Sequence, residues 1–422
     1  MRVSRLSALL LPALLLPALL LSACANLFGP KGGGEPSLIT ALPRDLTGSE
    51  VAVIGASNRF GGELLAALSL ADPDSNLFIS PLSASMALGM TMNGAAGTTF
   101  SEMRSTLGFP APMTGSDINR SYRDLIALLR GLDRKVDFRV ANSIWYRDTF
   151  GPMIAPSFLS EARDFFDARS AALDFGAPSA VTTINGWARE ATNGRIEKVI
   201  DSIDRDLVMF LMNAIYFKGD WREAFKRGDT RLEAFTPRTG APRDVPMMHR
   251  GGEARATVLD GRIVADLGYG GDAFSMTVVL PRPGEDVNAM IASLGSGFWS
   301  SLPALQAQKV ALTLPKFTLR WEKVLNDELK QMGMPTAFVP DGADFTRLAP
   351  AAGRSLYISF VKQNTFVDVN EVGTEAAAVT TVGVGVTSAP SVLEVRVDRP
   401  FVFLLRERLS GTVLFIGKIV RL

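Results

Sequence analysis

Cysteine and histidine are nearly absent from this 422-residue chain, which holds one of each, Cys24 and His249. One cysteine leaves no internal disulfide to form. One histidine is too few for the multi-ligand sites that hold most transition metals, and Ser-His-Asp triads need a histidine as their base. His249 follows Pro246-Met247-Met248, where a lone histidine reads as a packed or surface residue. An excess of charge is lacking too. The 44 basic and 43 acidic side chains give a formal charge of +1, so composition supplies no pull toward nucleic acid. No spacing among the acidic residues marks out an acid and base pair. Gly383-Val384-Gly385 has no third glycine and no Lys-Ser/Thr after it, so it lacks what a phosphate cradle needs, and Gly270-Gly271 reads as a turn into a strand. No metal, cofactor or nucleic-acid partner is expected, and the chain is read as a non-enzyme.

What is present is globular in kind, with 47% hydrophobic and 21% charged residues. The N-terminus reads as a targeting signal: Arg2 and Arg5 precede an apolar run from Ala8 to Leu21, broken by Pro12 and Pro17 and too short for a membrane span. Leu21-Ser22-Ala23-Cys24 resembles a bacterial lipobox, in which the cysteine thiol takes a lipid. The competing reading is an uncleaved signal anchor with an idle cysteine. Residues 1–23 are thus expected to be a lipoprotein signal and residues 24–54 a flexible tether, given Gly32-Gly33-Gly34 and few aliphatics. A single domain over 55–422 follows, held outside the cytoplasm on a bacterial membrane by lipid on Cys24.

Apolar spacing predicts helices at Arg59 to Ser69, Ser83 to Asn93 after the Ser80-Pro81 start signal, Asn119 to Leu132 and Pro156 to Arg163. β-Branched and aromatic runs predict strands at Leu211 to Phe217, Phe274 to Leu280, Val310 to Leu314, Phe366 to Val369 and Val413 to Val420. The expected class is α+β with large, mostly antiparallel sheets.

The segment from Thr374 to Thr387 alternates. Thr374, Ala376, Ala378, Thr380, Val382, Val384 and Val386 are all small or β-branched, while the odd positions are mixed and carry Glu375. That is a strand with one buried face, yet Gly373, Gly383 and Gly385 suit it poorly to permanent strand. It describes a segment able to be loop in one state and strand in another.

Here the chain resembles the serpin family. Glu371, Gly373, Thr374, Glu375, Ala376, Ala377 and Ala378 are similar to the hinge of inhibitory serpins. Further landmarks follow the family's order: Asn76 to Ser83, Thr192 to Ile196, Leu211 to Trp221, Val245 to Met248, Leu314 to Phe317, Asp398 to Phe403 and Gly411 to Gly417. The resemblance implies three sheets, about nine helices and an exposed reactive-centre loop. It implies a monomeric suicide inhibitor whose loop is cut by a serine protease and then inserts into a sheet with the acylated enzyme attached, disordering its oxyanion hole. It places the cut between Thr387 and Ser388, with Val386 and Ala389 as neighbours. A sheet-opening region of Ser80, Ser83, Asn213 and Gln363 is implied, and a breach of Trp221, Lys316 and Glu371, with Glu371 paired to Lys316. Gln363 stands where many serpins have a histidine. Thr374 is expected to lie in water until the loop inserts. No Lys or Arg occurs between Gly373 and Val395, which points away from trypsin-like pockets toward elastase-like or subtilisin-like ones. A non-inhibitory serpin serving as carrier or binding module is the alternative, and a carboxylate hydrolase a third reading.

Overall fold

Thr47 opens the first helix, α1 (Gly48–Ala71), through a capping box: its hydroxyl accepts from Glu50 N at 3.2 Å and its own N–H donates to Glu50 Oε2 at 2.7 Å. The computed structural model describes residues 37–295, 298, 302, 305–374 and 392–422. The expected tether through residue 54 is corrected at its end. Periodicity placed the helix at Arg59, but the cap begins it at Gly48, and Ile39 N–H already bonds Gly271 O at 2.8 Å. Phe60, Leu64, Leu65 and Leu68 are fully buried along one side of α1, each such burial contributing about 1.5–3 kcal/mol.

The next helix, α2 (Pro81–Met92), has Ser80 as N-cap and proline in its first turn, and nearly all of it is buried. Helices α3 (Gly97–Thr106), α4 (Gly115–Leu132), α5 (Pro156–Phe166), α6 (Pro178–Ala191), α7 (Val287–Ser293) and α8 (Asn326–Gln331) complete those among the described residues. The strands run β1 (Leu77–Ile79), β2 (Val136–Arg147), β3 (Ala168–Leu173), β4 (Met209–Asp220), β5 (Arg231–Phe235), β6 (Arg243–Leu259), β7 (Arg262–Gly268) and β8 (Phe274–Leu280). They continue with β9 (Ala307–Pro315), β10 (Phe317–Val324), β11 (Lys362–Val369), β12 (Gly373–Thr374), β13 (Leu393–Arg396), β14 (Phe401–Glu407) and β15 (Val413–Ile419).

Hydrogen bonding gives a six-stranded sheet in the order β10-β11-β12-β4-β2-β3 and a nine-stranded one, β1-β15-β14-β8-β7-β6-β9-β13 with β5 on β6. Two of the three expected sheets are therefore continuous. β6 is long enough to serve both, pairing β5 and β9 through its first part and β7 through Arg255 to Leu259. β8, β14 and β15 are buried on both faces, as central strands with apolar runs are. β11 alternates instead, turning Gln363, Thr365, Val367 and Val369 inward. On the outer face of the six-stranded sheet α6 covers a second apolar cluster, where Trp145 and Trp187 meet edge to face at 6.2 Å.

Candidate functional site

A tight turn at the end of β11 makes the site. Asn370 Oδ1 accepts from Val372 N at 3.0 Å and Asn370 N–H donates to Gly373 O at 3.0 Å, so the chain doubles back and β12 runs antiparallel to β11. β12 is antiparallel to β4 as well, with Gly373 opposite Asp220 and Thr374 opposite Gly219. Gly373 is required by this approach: a Cβ there would fall 2.2 Å from Gly219 O.

Thr374 is 2% exposed, and its Oγ1 lies 2.6 Å from Tyr269 Oη. The expectation that this residue waits in water is corrected. The intact chain already holds it inside the sheet, because the turn delivers it between two strands with a buried hydroxyl to meet it. Burial pushes the Tyr269 phenol up, against a smaller opposing effect from Thr374, so the group stays protonated.

Trp221 secures the same corner. Its indole N–H donates to Asn370 O at 2.8 Å, its backbone N–H to Val372 O at 2.7 Å, and its ring stacks on Tyr269 at 4.5 Å. Glu371 accepts from Lys316 Nζ at 3.1 Å and from Thr230 Oγ1 at 3.0 Å. The pair is not exposed on both sides: the Glu371 side chain is 8% exposed and that of Lys316 44%. Burial raises the Glu371 carboxyl, but its own backbone N–H, Lys316 and Thr230 together hold it below its ordinary value.

Further along the sheet Gln363 and Ser80 form a reciprocal pair. Ser80 N donates to Gln363 Oε1 and Gln363 Nε2 to Ser80 O, each at 3.0 Å. Ser80 Oγ reaches Leu414 O at 2.6 Å, and Ser83 Oγ donates to Asn213 Oδ1. Asn213 Nδ2 in turn bonds Asn142 Oδ1 at 2.6 Å. β11 and β4 are thus each tied to the first turn of α2. Among the described residues they share no ladder with each other; β12 alone lies between them. A cavity of about 200 Å³ follows this seam, lined by Ala84 and Ala87 of α2 and by Trp187 and Ala188 of α6.

Ser80, Ser83, Asn213 and Gln363 therefore meet at one place, and Trp221, Lys316, Glu371, Gly373 and Thr374 at another. Glu375, Ala376, Ala377, Ala378, Thr387, Ser388 and Cys24 lie outside the described residues. Sequence reasoning missed Tyr269, Thr230 and Asn142. The only local signal was the Gly270-Gly271 turn beside Tyr269, which gave no hint of a partner 105 positions away. His249 is half-buried, with Nε2 2.9 Å from Glu233 Oε1.

The family model described as serpin (serine protease inhibitor) matches residues 55–422. Chicken neuroserpin is 33% identical over 369 residues, covering 84% of this chain and 88% of its own. The crystal structure of the thermophilic serpin tengpin in its native state is similar, with TM-score 0.80, 29% identity, and 92% of this chain and 97% of that one covered. Human thyroxine-binding globulin is similar with TM-score 0.79 and 26% identity, over 88% and 99% of the two chains.

Proposed function

The chain belongs to the serpin family, and from that premise we propose that it is a suicide-substrate inhibitor of serine proteases, with elastase-like or subtilisin-like targets favoured. One observation carries this reading: Gly373 and Thr374 are already a strand between β4 and β11, antiparallel to both, at the head of a seam those two strands do not close. A loop cut further on would need only to continue a ladder that has begun. Nucleation is the slow part of adding ordered structure, so a started strand favours insertion over hydrolysis of the acyl-enzyme.

The target serine would attack the bond between Thr387 and Ser388, releasing the Ser388 amine and forming an ester to Thr387. Insertion would then strand that ester by distorting the enzyme's oxyanion hole. Cys24 would carry the lipid, keeping a monomer outside the cytoplasm on a bacterial membrane. Among the described residues no helix is long and apolar enough to cross a membrane.

A protease panel tests the reading. An SDS-resistant adduct and a released C-terminal fragment beginning at Ser388 are expected. Clean cleavage without adduct across the panel would favour the carrier reading, for which the likeness to thyroxine-binding globulin speaks. A cut after Arg396 by a trypsin-class enzyme that is then trapped would overturn the assigned bond.

A further inference from the structure

The chain enters the domain at the corner that holds the hinge. Ile39 is half-buried against the core; its N–H donates to Gly271 O at 2.8 Å, and its carbonyl accepts from Arg408 Nη2 at 3.3 Å. Gly271 lies in the turn between β7 and β8, two residues after Tyr269, and its own N–H donates to Asp133 Oδ2 at 2.7 Å. Asp133 closes α4 just before β2, where Val136 stands opposite Gly219, and Gly219 is opposite Thr374 in turn. Tyr269 Oη touches Thr374 Oγ1. Along the path through Tyr269 and Gly271, covalent geometry leaves Ile39 no more than about 25 Å from Thr374.

The other end of the six-stranded sheet is far from this entry. Helix α1 runs 24 residues away from it, about 36 Å. Just past its end Asp72 pairs with Lys323, and Lys323 is opposite Gln363 of β11. Gln363 and Val369 are six residues apart on that strand, and Val369 is opposite Thr374, so about 20 Å of strand separates the end of α1 from the hinge. Leu70, 84% exposed, marks this far end. Val392, 52% exposed, leads into β13, whose partner β9 runs on to Lys316 and so to Glu371 of the hinge corner.

We propose that the anchored domain holds its hinge end toward the lipid, and that the protease it fits is one held on the same membrane. The inference rests on the inhibitor and lipid-anchor readings above. Fourteen peptide units join Cys24 to Leu38. Their reach is at most about 50 Å at full stretch, which keeps Thr374 within about 75 Å of the lipid. A protease diffusing in bulk gains nothing from that confinement. One confined to the same layer meets the inhibitor at a raised effective concentration, as two linked partners do.

Two measurements on the full lipid-bearing chain in vesicles test this. With Cys24 lipidated, an added cysteine is the sole free thiol for a dye, placed by Leu70→Cys or Val392→Cys. Energy transfer to headgroup acceptors is expected to be stronger from Val392→Cys, and equal or weaker transfer would overturn the orientation. Adduct formation by the unlabelled parent is then timed with a subtilisin-like protease fixed to the same vesicles, fixed to separate vesicles, or free. Trapping is expected to be at least about tenfold faster on the same vesicles than in either other format. Equal rates in the three formats would overturn the partner assignment while leaving inhibition intact. A parent that does not stay on vesicles would remove the anchor reading and this inference with it, whereas absence of adduct in every format would remove the inhibitor reading and the assigned partner together.

Discussion

The hydroxyl of Tyr269 stands 2.6 Å from that of Thr374, while the Tyr269 ring lies stacked on Trp221. The residue that locks the hinge into the six-stranded sheet therefore comes from the turn between β7 and β8 of the other sheet. Hinge position and sheet-to-sheet packing are one arrangement, so loosening either is felt at the other.

Tyr269→Phe keeps the stacking and leaves the Thr374 hydroxyl buried without that partner. Loss of about 1–3 kcal/mol is expected for a buried hydroxyl so treated. Thermal unfolding and amide exchange at Gly373 and Thr374 check it; Tyr269→Phe/Thr374→Val should recover part of the loss, and an unchanged midpoint in the single variant would contradict the bond's importance.

Arginine at Thr374 is a poor probe of insertion, because that side chain is buried before any cleavage. Ala378 is the better position. Ladder parity from Thr374 would give it an inward position in an inserted strand, and a lone guanidinium on a buried face is costly. Ala378→Arg should be cleaved at the same bond with adduct yield down at least about tenfold, while its unfolding before cleavage matches the parent. Parental adduct yield would remove strand insertion from the mechanism.

The contact of Glu371 with Lys316 and Thr230 gives a pH signature. Its folded carboxyl lies below the ordinary value, so the unfolded chain binds the proton first as pH falls. The stabilisation is whole above the usual carboxylate range near about 4.3 and disappears as pH drops through the folded value. Parent minus Glu371→Gln, measured by urea unfolding, should therefore be positive at neutral pH and shrink toward zero in acid.

Lys418 has the same sign at the alkaline end of the pH range. It is fully buried, donating to Asn288 Oδ1 at 2.9 Å and to the Asp72 and Pro73 carbonyls, and burial lowers its ammonium to about 8. Between about 8 and the unfolded value near about 10.4 the unfolded chain holds a proton that the folded chain lacks. Stability from this group must rise with pH across that window. Lys418→Met should abolish the rise in denaturation experiments between pH 8 and pH 10; an identical slope in both proteins would contradict it.

Membrane attachment through Cys24 predicts that Cys24→Ala either moves the protein to the soluble fraction or leaves its precursor unprocessed. Fractionation with gel mobility decides, and parental partition with parental size would exclude the lipid.

Much of the fold was legible because it is local. Ser80-Pro81 announces α2, β-branched and aromatic runs announce β8 and β15, and Glu371 to Ala378 announces a hinge whose parity needs only alternation. The grouping of Ser80, Ser83, Asn213 and Gln363 came from ordered landmarks along the chain. The start of α1 was missed because its cap, Thr47 with Glu50, lies in a segment whose composition resembles linker. α6 was missed although Ala180, Ile184, Trp187 and Ala188 stand at helical spacing on the face it packs into the cluster with Trp145 and Phe210. Whether Thr374 begins outside or inside the sheet could not be read at all. That depends on Gly373 having no Cβ where it meets Gly219 O, and on Tyr269 presenting a hydroxyl from the far side. Alternation fixes which face a strand residue takes once paired, but pairing itself is settled by the strands and hydroxyls that tertiary packing brings beside it.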